Sequence, residues 1–247
     1  MLDVRELTKN FGMLRAVDAV SMQVAQGELR AIIGPNGAGK TTFFNMITGF
    51  FPPSSGSIHF ADTDITRLSV TERVVLGMAR TFQITEIFPE LSVRENIRIG
   101  VEAASGFAQR LFLRRGEIAR IASRIDEILV LIGLAGSADR LVGELSHGDQ
   151  RATEIGMALT RDPRILLLDE PTAGMGEQET FYVASLIRRL HREAGYTIVL
   201  IEHDMRVVFN LADRISVLDQ GRLLAEGTPS EIAANDAVQT AYLGDEK

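Results

Sequence analysis

Val20, Met22 and Val24 alternate with Ser21 and Gln23, the period-two pattern of a half-buried strand. A Gln26-Gly27 turn follows, then an apolar run over residues 29–33, so the pattern predicts a β-hairpin feeding a buried strand. That strand leads into a glycine-rich loop over 34–39 and a helix-compatible stretch over 41–48. Residues 165–168 and 197–201 are continuously apolar, as parallel strands covered by helices on both faces should be. Between them, residues 181–192 have helical spacing with basic residues at the end. The segment from Ile215 through Asp219-Gln220-Gly221-Arg222 to Ala225 predicts a second hairpin. From about 93 to 158 the pattern is amphipathic and helical, with Ile121, Ile125, Ile128, Leu129 and Ile132 on one face and almost no strand signal. A helical insertion in an α/β core is the simplest account. Pro52-Pro53-Ser54-Ser55-Gly56 and Ala135-Gly136-Ser137 read as turns.

Composition narrows the chemistry. The 247 residues carry 26 Lys+Arg against 33 Asp+Glu, a net charge of −7, which argues against a nucleic-acid partner. With no cysteine there is no disulfide framework, thiolate metal site or thiol nucleophile, and the four histidines form no H-E-x-x-H pair. The apolar runs fall far short of the roughly 18 residues of a spanning helix, and the N-terminal residues have no signal-peptide pattern. A soluble cytoplasmic protein is therefore expected.

Gly34-Pro35-Asn36-Gly37-Ala38-Gly39-Lys40-Thr41 fits the phosphate-loop pattern G-x-x-x-x-G-K-[ST]. Glycines let backbone N–H groups converge on phosphate oxygens, the following helix presents its positive end, Lys40 adds a full charge and Thr41 offers a hydroxyl to Mg²⁺. Leu166-Leu167-Leu168-Asp169-Glu170 carries two carboxylates to the end of an apolar strand, where α/β ligands sit. Asp169 is the candidate Mg²⁺ ligand and Glu170 the candidate general base, with capping of the next helix as the plainer alternative.

Together with three further segments, these motifs resemble the ATP-binding cassette (ABC) family. Leu145-Ser146-His147-Gly148-Asp149-Gln150 resembles its L-S-G-G-Q signature, Arg80-Thr81-Phe82-Gln83 its Q-loop, and Ile201-Glu202-His203-Asp204 its switch-histidine segment. The resemblance runs from about Leu2 to Gly244. It implies a P-loop NTPase core with an N-terminal antiparallel β subdomain and an inserted α-helical subdomain. All 247 residues then form one ATPase domain, with core 1–85 and 158–247 and a helical subdomain at about 86–157. It also implies ATP hydrolysis with Mg²⁺ and transport through separate permease subunits.

Carried over by residue, the resemblance makes Phe11 the adenine-stacking aromatic. Gly34 through Lys40, Thr41 and Thr42 become the phosphate cradle, and Thr41, Gln83 and Asp169 the Mg²⁺ ligands. Glu170 and His203 are the catalytic pair. Ser146, His147, Gly148 and Asp149 contact the γ-phosphate of a nucleotide held mainly by a second ATPase subunit, the same chain or a paralogue. Read alone, Phe11 is more often a core aromatic than a stacking platform, Gln83 and His203 are ordinary polar residues near strand ends, and Ser146 to Asp149 fit a capping box. The sequence departs from the pattern at His147, Asp149 and Gly176, the last standing where an aspartate is usual. The helix dipole favours Asp149, but its charge opposes a nearby phosphate; a side chain pointing away would reconcile the two.

Within the family, Glu154-Ile155-Gly156, Glu170-Pro171-Thr172-Ala173-Gly174-Met175, Ala225-Glu226-Gly227-Thr228-Pro229 and Tyr242-Leu243-Gly244 resemble the branched-chain amino acid import group. Urea or amide importers and the lipopolysaccharide-export ATPase share much of this pattern. Non-transport cassette proteins, which usually carry two cassettes or a long coiled coil, fit one phosphate loop in 247 residues less well. The import reading implies a periplasmic or extracellular solute-binding protein and a position on the inner face of the membrane. Ile84, Ile87, Phe88 and Leu91 follow Gln83 as candidate permease contacts or local core.

Overall fold

The computed structural model describes residues 1–81, 87–105 and 115–243. Two compact units are present, Met1–Met78 with Tyr196–Lys247, and Ala79–Gly195.

In the first unit, β1 (Leu2–Phe11) and β2 (Leu14–Val24) form a long antiparallel pair, and β1 also pairs with β4 (Ser55–Phe60), which is extended by β5 (Thr63–Asp64). The expected antiparallel subdomain is therefore present. The expected hairpin into residues 29–33 is not: β2 turns back on β1 through Gly12, at φ +60°. β3 (Leu29–Ile33) joins a different sheet, lying parallel to β8 (Thr197–Ile201) and to β9 (Arg214–Asp219). Gln26-Gly27 is thus a connection between sheets. Every residue of β3 and β8 is buried, which accounts for their unbroken apolar sequences. β9 and β10 (Arg222–Gly227) make the C-terminal hairpin, followed by α8 (Pro229–Ala233) and α9 (Asp236–Leu243).

α1 (Lys40–Thr48) follows β3 and buries Phe43, Phe44, Met46 and Ile47, each worth about 1.5–3 kcal/mol of transfer free energy. Its last carbonyls are met by an arginine. Arg73, on α2 (Val70–Val75), is 1% exposed and donates to the carbonyls of Met46, Ile47, Leu68 and Thr66 at 2.5–3.3 Å. Burial lowers its pKa to about 10, so it remains charged at neutral pH. Arg73→Ala would strip four carbonyls of a donor and leave a cavity; urea unfolding should show a loss of about 2–4 kcal/mol.

In the second unit, β6 (Met78–Thr81) lies beside β7 (Ile165–Asp169). Three helices, α3 (Val93–Ser105), α4 (Arg115–Ile132) and α5 (His147–Leu159), pack on one another through Val93, Ile97, Ile121, Ile125, Ile128, Leu129, Ile132 and Ile155. This is the helical stretch expected at about 93–158. α6 (Glu177–Arg192) packs on α5 with Val183, Leu186, Ile187 and Leu190 buried. α7 (Met205–Leu211), back in the first unit, follows β8.

Candidate functional site

The phosphate loop is built as its sequence requires. β3 delivers the chain to Gly34, where a Cβ would fall 2.1 Å from the Leu218 carbonyl oxygen. Gly39 takes φ +92°, and there a Cβ would fall 2.5 Å from the Ala16 carbonyl oxygen. Glycine at these two positions is therefore steric necessity. Lys40 Nζ donates to the carbonyls of Gly34 at 2.6 Å and Pro35 at 2.9 Å, which holds the ammonium against the loop. Asn36, Gly37 and Thr41 are exposed, and Pro35, Gly39 and Thr42 half-buried; Gly34, Ala38 and Lys40 are buried. The Gly221 amide donates to the Ala38 carbonyl at 3.0 Å, so the β9–β10 turn braces the loop from behind.

β8 runs parallel to β3 and ends at the same edge, where Glu202 and His203 follow. Glu202 is buried and accepts the His203 amide at 3.0 Å, while the imidazole is exposed. Phe11, at the end of β1, is 48% exposed. Its ring meets Phe51 edge-on at 5.6 Å, and Lys9 Nζ lies 5.3 Å from the Phe11 centroid and 4.6 Å from that of Phe51. An exposed, sideways-supported ring is suited to stacking.

In the second unit, β7 carries Asp169 to its C-terminal end, 2% exposed and paired with Arg80 Nη2 at 3.0 Å. Burial pushes the Asp169 carboxyl above the usual carboxylate range, against the pull of Arg80. Arg151 on α5 donates to the Asp169 carbonyl at 2.9 Å and pairs with Glu154. Glu170 takes φ +46°, a left-handed conformation that costs a non-glycine residue of order 1 kcal/mol. The neighbouring fold holds it there.

The signature segment forms the start of α5. Ser146 is the N-cap, its Oγ accepting the Asp149 amide at 3.2 Å. Only this half of the expected capping box forms, unlike the reciprocal boxes at Ser69/Glu72 and Thr228/Glu231. The Tyr182 ring of α6 packs against this helix start, where a Cβ on Gly148 would fall 3.1 Å from its Cδ1. Burial, then the nearby Asp149 charge, push the Tyr182 phenol up to about 12. Glu179 of α6 approaches the Gly148 amide at 3.4 Å. His147, Gln150 and Arg151 line a cleft with Glu170, Pro171, Ala173 and Met175. At the other departure, Gly176 caps α6 with backbone alone, ahead of Glu177 and Glu179 in its first turn.

Gln83 and Ile84 lie outside the described residues; Phe88 is exposed, and Ile87 and Leu91 are half-buried. The first unit brings together the phosphate loop and the His203 segment, and the second joins Asp169 and Glu170 to the signature helix. Motif reading alone did not single out Arg80 as a partner of Asp169, nor Tyr182, Glu179, Phe51 or Arg151. These act across 31 to 89 residues of sequence or sit in ordinary helical positions. Only Arg80, beside Gln83 in a quoted motif, left a local trace.

Comparison with known proteins shows the family. The ABC transporter family matches residues 17–173, and the branched-chain amino acid ATP-binding cassette transporter family matches residues 222–247. The high-affinity branched-chain amino acid transport ATP-binding protein LivG of Salmonella typhimurium is 40% identical over 99% of this chain and 98% of its own. The ADP conformation of MJ1267, an ATP-binding cassette of an ABC transporter, superposes with a TM-score of 0.86 at 32% identity, covering 99% and 98% of the two chains. A dimeric post-hydrolysis state of the cassette MJ0796, bound to ADP and Pi, matches at TM-score 0.75 and 26% identity over 93% and 99%. The P-loop fold, the ordered motifs and end-to-end similarity converge: the chain belongs to the ABC transporter family, as an ATP-binding, ATP-hydrolysing subunit of the branched-chain amino acid group.

Proposed function

We propose that this subunit powers import of branched-chain amino acids through separate permease subunits, supplied by a solute-binding protein, from the inner face of the membrane. The observation that carries the ATP chemistry is the phosphate loop, with the Lys40 ammonium fixed on loop carbonyls at the start of α1. The cargo rests on similarity that includes residues 222–247, which lie outside the nucleotide motifs.

In this reading Phe11 stacks on adenine, residues 34–42 cradle the phosphates, and His203 contacts the γ-phosphate. Glu170 takes a proton from the attacking water. Ser146, His147, Gly148 and Asp149 serve the nucleotide of a second ATPase subunit, and residues 86–157 act as the helical subdomain that meets the permease.

The donor set fits Mg²⁺. Thr41 offers a hydroxyl and Asp169 a carboxylate, the oxygen donors that suit an ion held mainly through substrate phosphates. Asp169 already faces one cation, Arg80, at 3.0 Å. Thr41, Gln83 and Asp169 would hold the ion, which supplies charge neutralisation on the phosphates.

Reconstitution with its permease and binding protein tests the cargo. Leucine, isoleucine or valine should stimulate ATP hydrolysis several-fold, while urea or sulfate should not. Stimulation by urea alone would replace this cargo with the amide class.

A further inference from the structure

Glu170 leaves the end of β7 at φ +46°, a conformation that a residue with a Cβ keeps only where its surroundings impose it. Two hydrogen bonds flank that position. Arg151 Nη2 donates to the Asp169 carbonyl at 2.9 Å in the interior, and the Ala173 amide donates to the Glu170 carbonyl at 3.1 Å. The Asp169 carbonyl belongs to the planar peptide group that joins Asp169 to Glu170, and the φ of Glu170 is a rotation measured from that plane. Holding this carbonyl therefore fixes the plane from which the Glu170 side chain departs. The second bond closes the turn that follows.

Arg151 is suited to the task. It and Glu154, three residues along α5, are each 5% exposed, and its other terminal nitrogen, Nη1, pairs with the Glu154 carboxylate. A guanidinium is planar and stays charged, so a carboxylate on one arm of the fork and a carbonyl on the other fix its orientation. A charged donor also holds a carbonyl more firmly than a neutral one. The bond ties the first turns of the signature helix to the end of the strand that carries the two carboxylates. Arg151 and Glu170 line the same cleft.

We propose that Arg151 is a positioning residue for hydrolysis: it fixes the peptide plane between Asp169 and Glu170 and so sets the Glu170 carboxylate where it takes the proton of the attacking water. The inference rests on the general-base reading of Glu170 given above. Arg151 moves no proton; it acts through the backbone of Glu170.

A double-mutant cycle on the full chain, reconstituted with its permease and binding protein, tests it. Arg151→Met alone would strand the Glu154 carboxylate in the interior, which can unfold the region by itself. The informative variant is Arg151→Met with Glu154→Leu, because apolar residues of similar volume can replace a buried ion pair without loss of stability. With Glu170 in place, this pair should lower kcat about 10–100-fold, the scale of a misplaced catalytic group, and leave KM for ATP within about twofold. In a Glu170→Gln background the same pair should change the residual rate by less than about twofold, since no base remains to be misplaced. Arg151→Lys keeps Glu154 paired and gives up only the planar fork; its smaller loss should likewise fall on kcat and vanish in the Glu170→Gln background. ADP affinity and Tm of each variant are measured alongside as controls for folding.

Native kcat in the Arg151→Met, Glu154→Leu protein would overturn the proposal. So would a loss carried by KM, or one repeated in full in the Glu170→Gln background, since Arg151 would then serve nucleotide binding or the packing of α5 and not the base. Native turnover by the Glu170→Gln protein with Arg151 intact is the separate result that would remove the general-base reading, and this inference with it.

Discussion

Replacing Glu170 by glutamine should lower ATP hydrolysis by roughly 10²–10⁴-fold while leaving ATP binding intact, the range a positioned general base contributes. Glu170 follows Asp169 at the end of a buried strand and is held at φ +46°. Glutamine has the same size and pays the same conformational cost there, so the backbone has no new reason to move. Lys40 and Asp169 are untouched, so the phosphates and Mg²⁺ keep their proposed contacts. Removing a negative charge beside the γ-phosphate also favours the closed state. The variant should accumulate as an ATP-bound dimer, alone or with a paralogue, seen as a doubled mass by light scattering with Mg-ATP while phosphate release stays at background. Rapid turnover would transfer the base role to another group. A monomer with ATP bound, even with the paralogue present, would instead remove the dimer from the mechanism.

The parts of the molecule legible in the sequence are those whose physics is contiguous. A phosphate loop needs glycines at fixed offsets from a lysine, so residues 34–41 announced both the loop and its strand and helix. Buried parallel strands need unbroken apolar runs, so β7 and β8 stood out. Pairing was harder. The Gln26-Gly27 turn is a sound local signal, with Gly27 at φ +72°, but a turn does not specify which sheet the next strand enters. β2 pairs with β1 and β3 with β8 and β9 because alternation suits a sheet with two unlike faces, whereas β3 is apolar throughout. β1 escaped notice because its pattern is irregular, with register shifts between Val4, Leu7, Lys9 and Asn10. The signature segment was legible as a cap and only half legible as chemistry. Ser146 caps as its type demands, but nothing near Tyr182 in sequence says that its ring packs against the start of another helix.

Lys40→Ala should weaken ATP binding by about 10²–10³-fold, the equivalent of one or two charge-assisted hydrogen bonds to phosphate at roughly 1.5–3 kcal/mol each. The loop's own geometry supports an effect of this size. Lys40 is 6% exposed and its ammonium rests on two carbonyls of the loop it serves, so its position is largely fixed before nucleotide arrives and little side-chain entropy remains to be lost. Losing it also leaves the carbonyls of Gly34 and Pro35 without that donor, which lowers the loop's stability as well as its charge. Lys40→Arg should not rescue binding, because a planar fork cannot occupy the place of a compact ammonium held between two neighbouring carbonyls. Thermal unfolding without nucleotide separates the two contributions: a modest shift in Tm beside a hundredfold loss of affinity assigns the effect to the phosphate contact. Fluorescent-nucleotide titration provides that affinity. The two variants should therefore fail at different stages, Lys40→Ala before a complex forms and Glu170→Gln after one has formed that cannot turn over. A Lys40→Ala protein that bound ATP with native affinity would mean that the helix N-terminus and loop amides hold the phosphates unaided, and the lysine would have to be reassigned to shaping the loop.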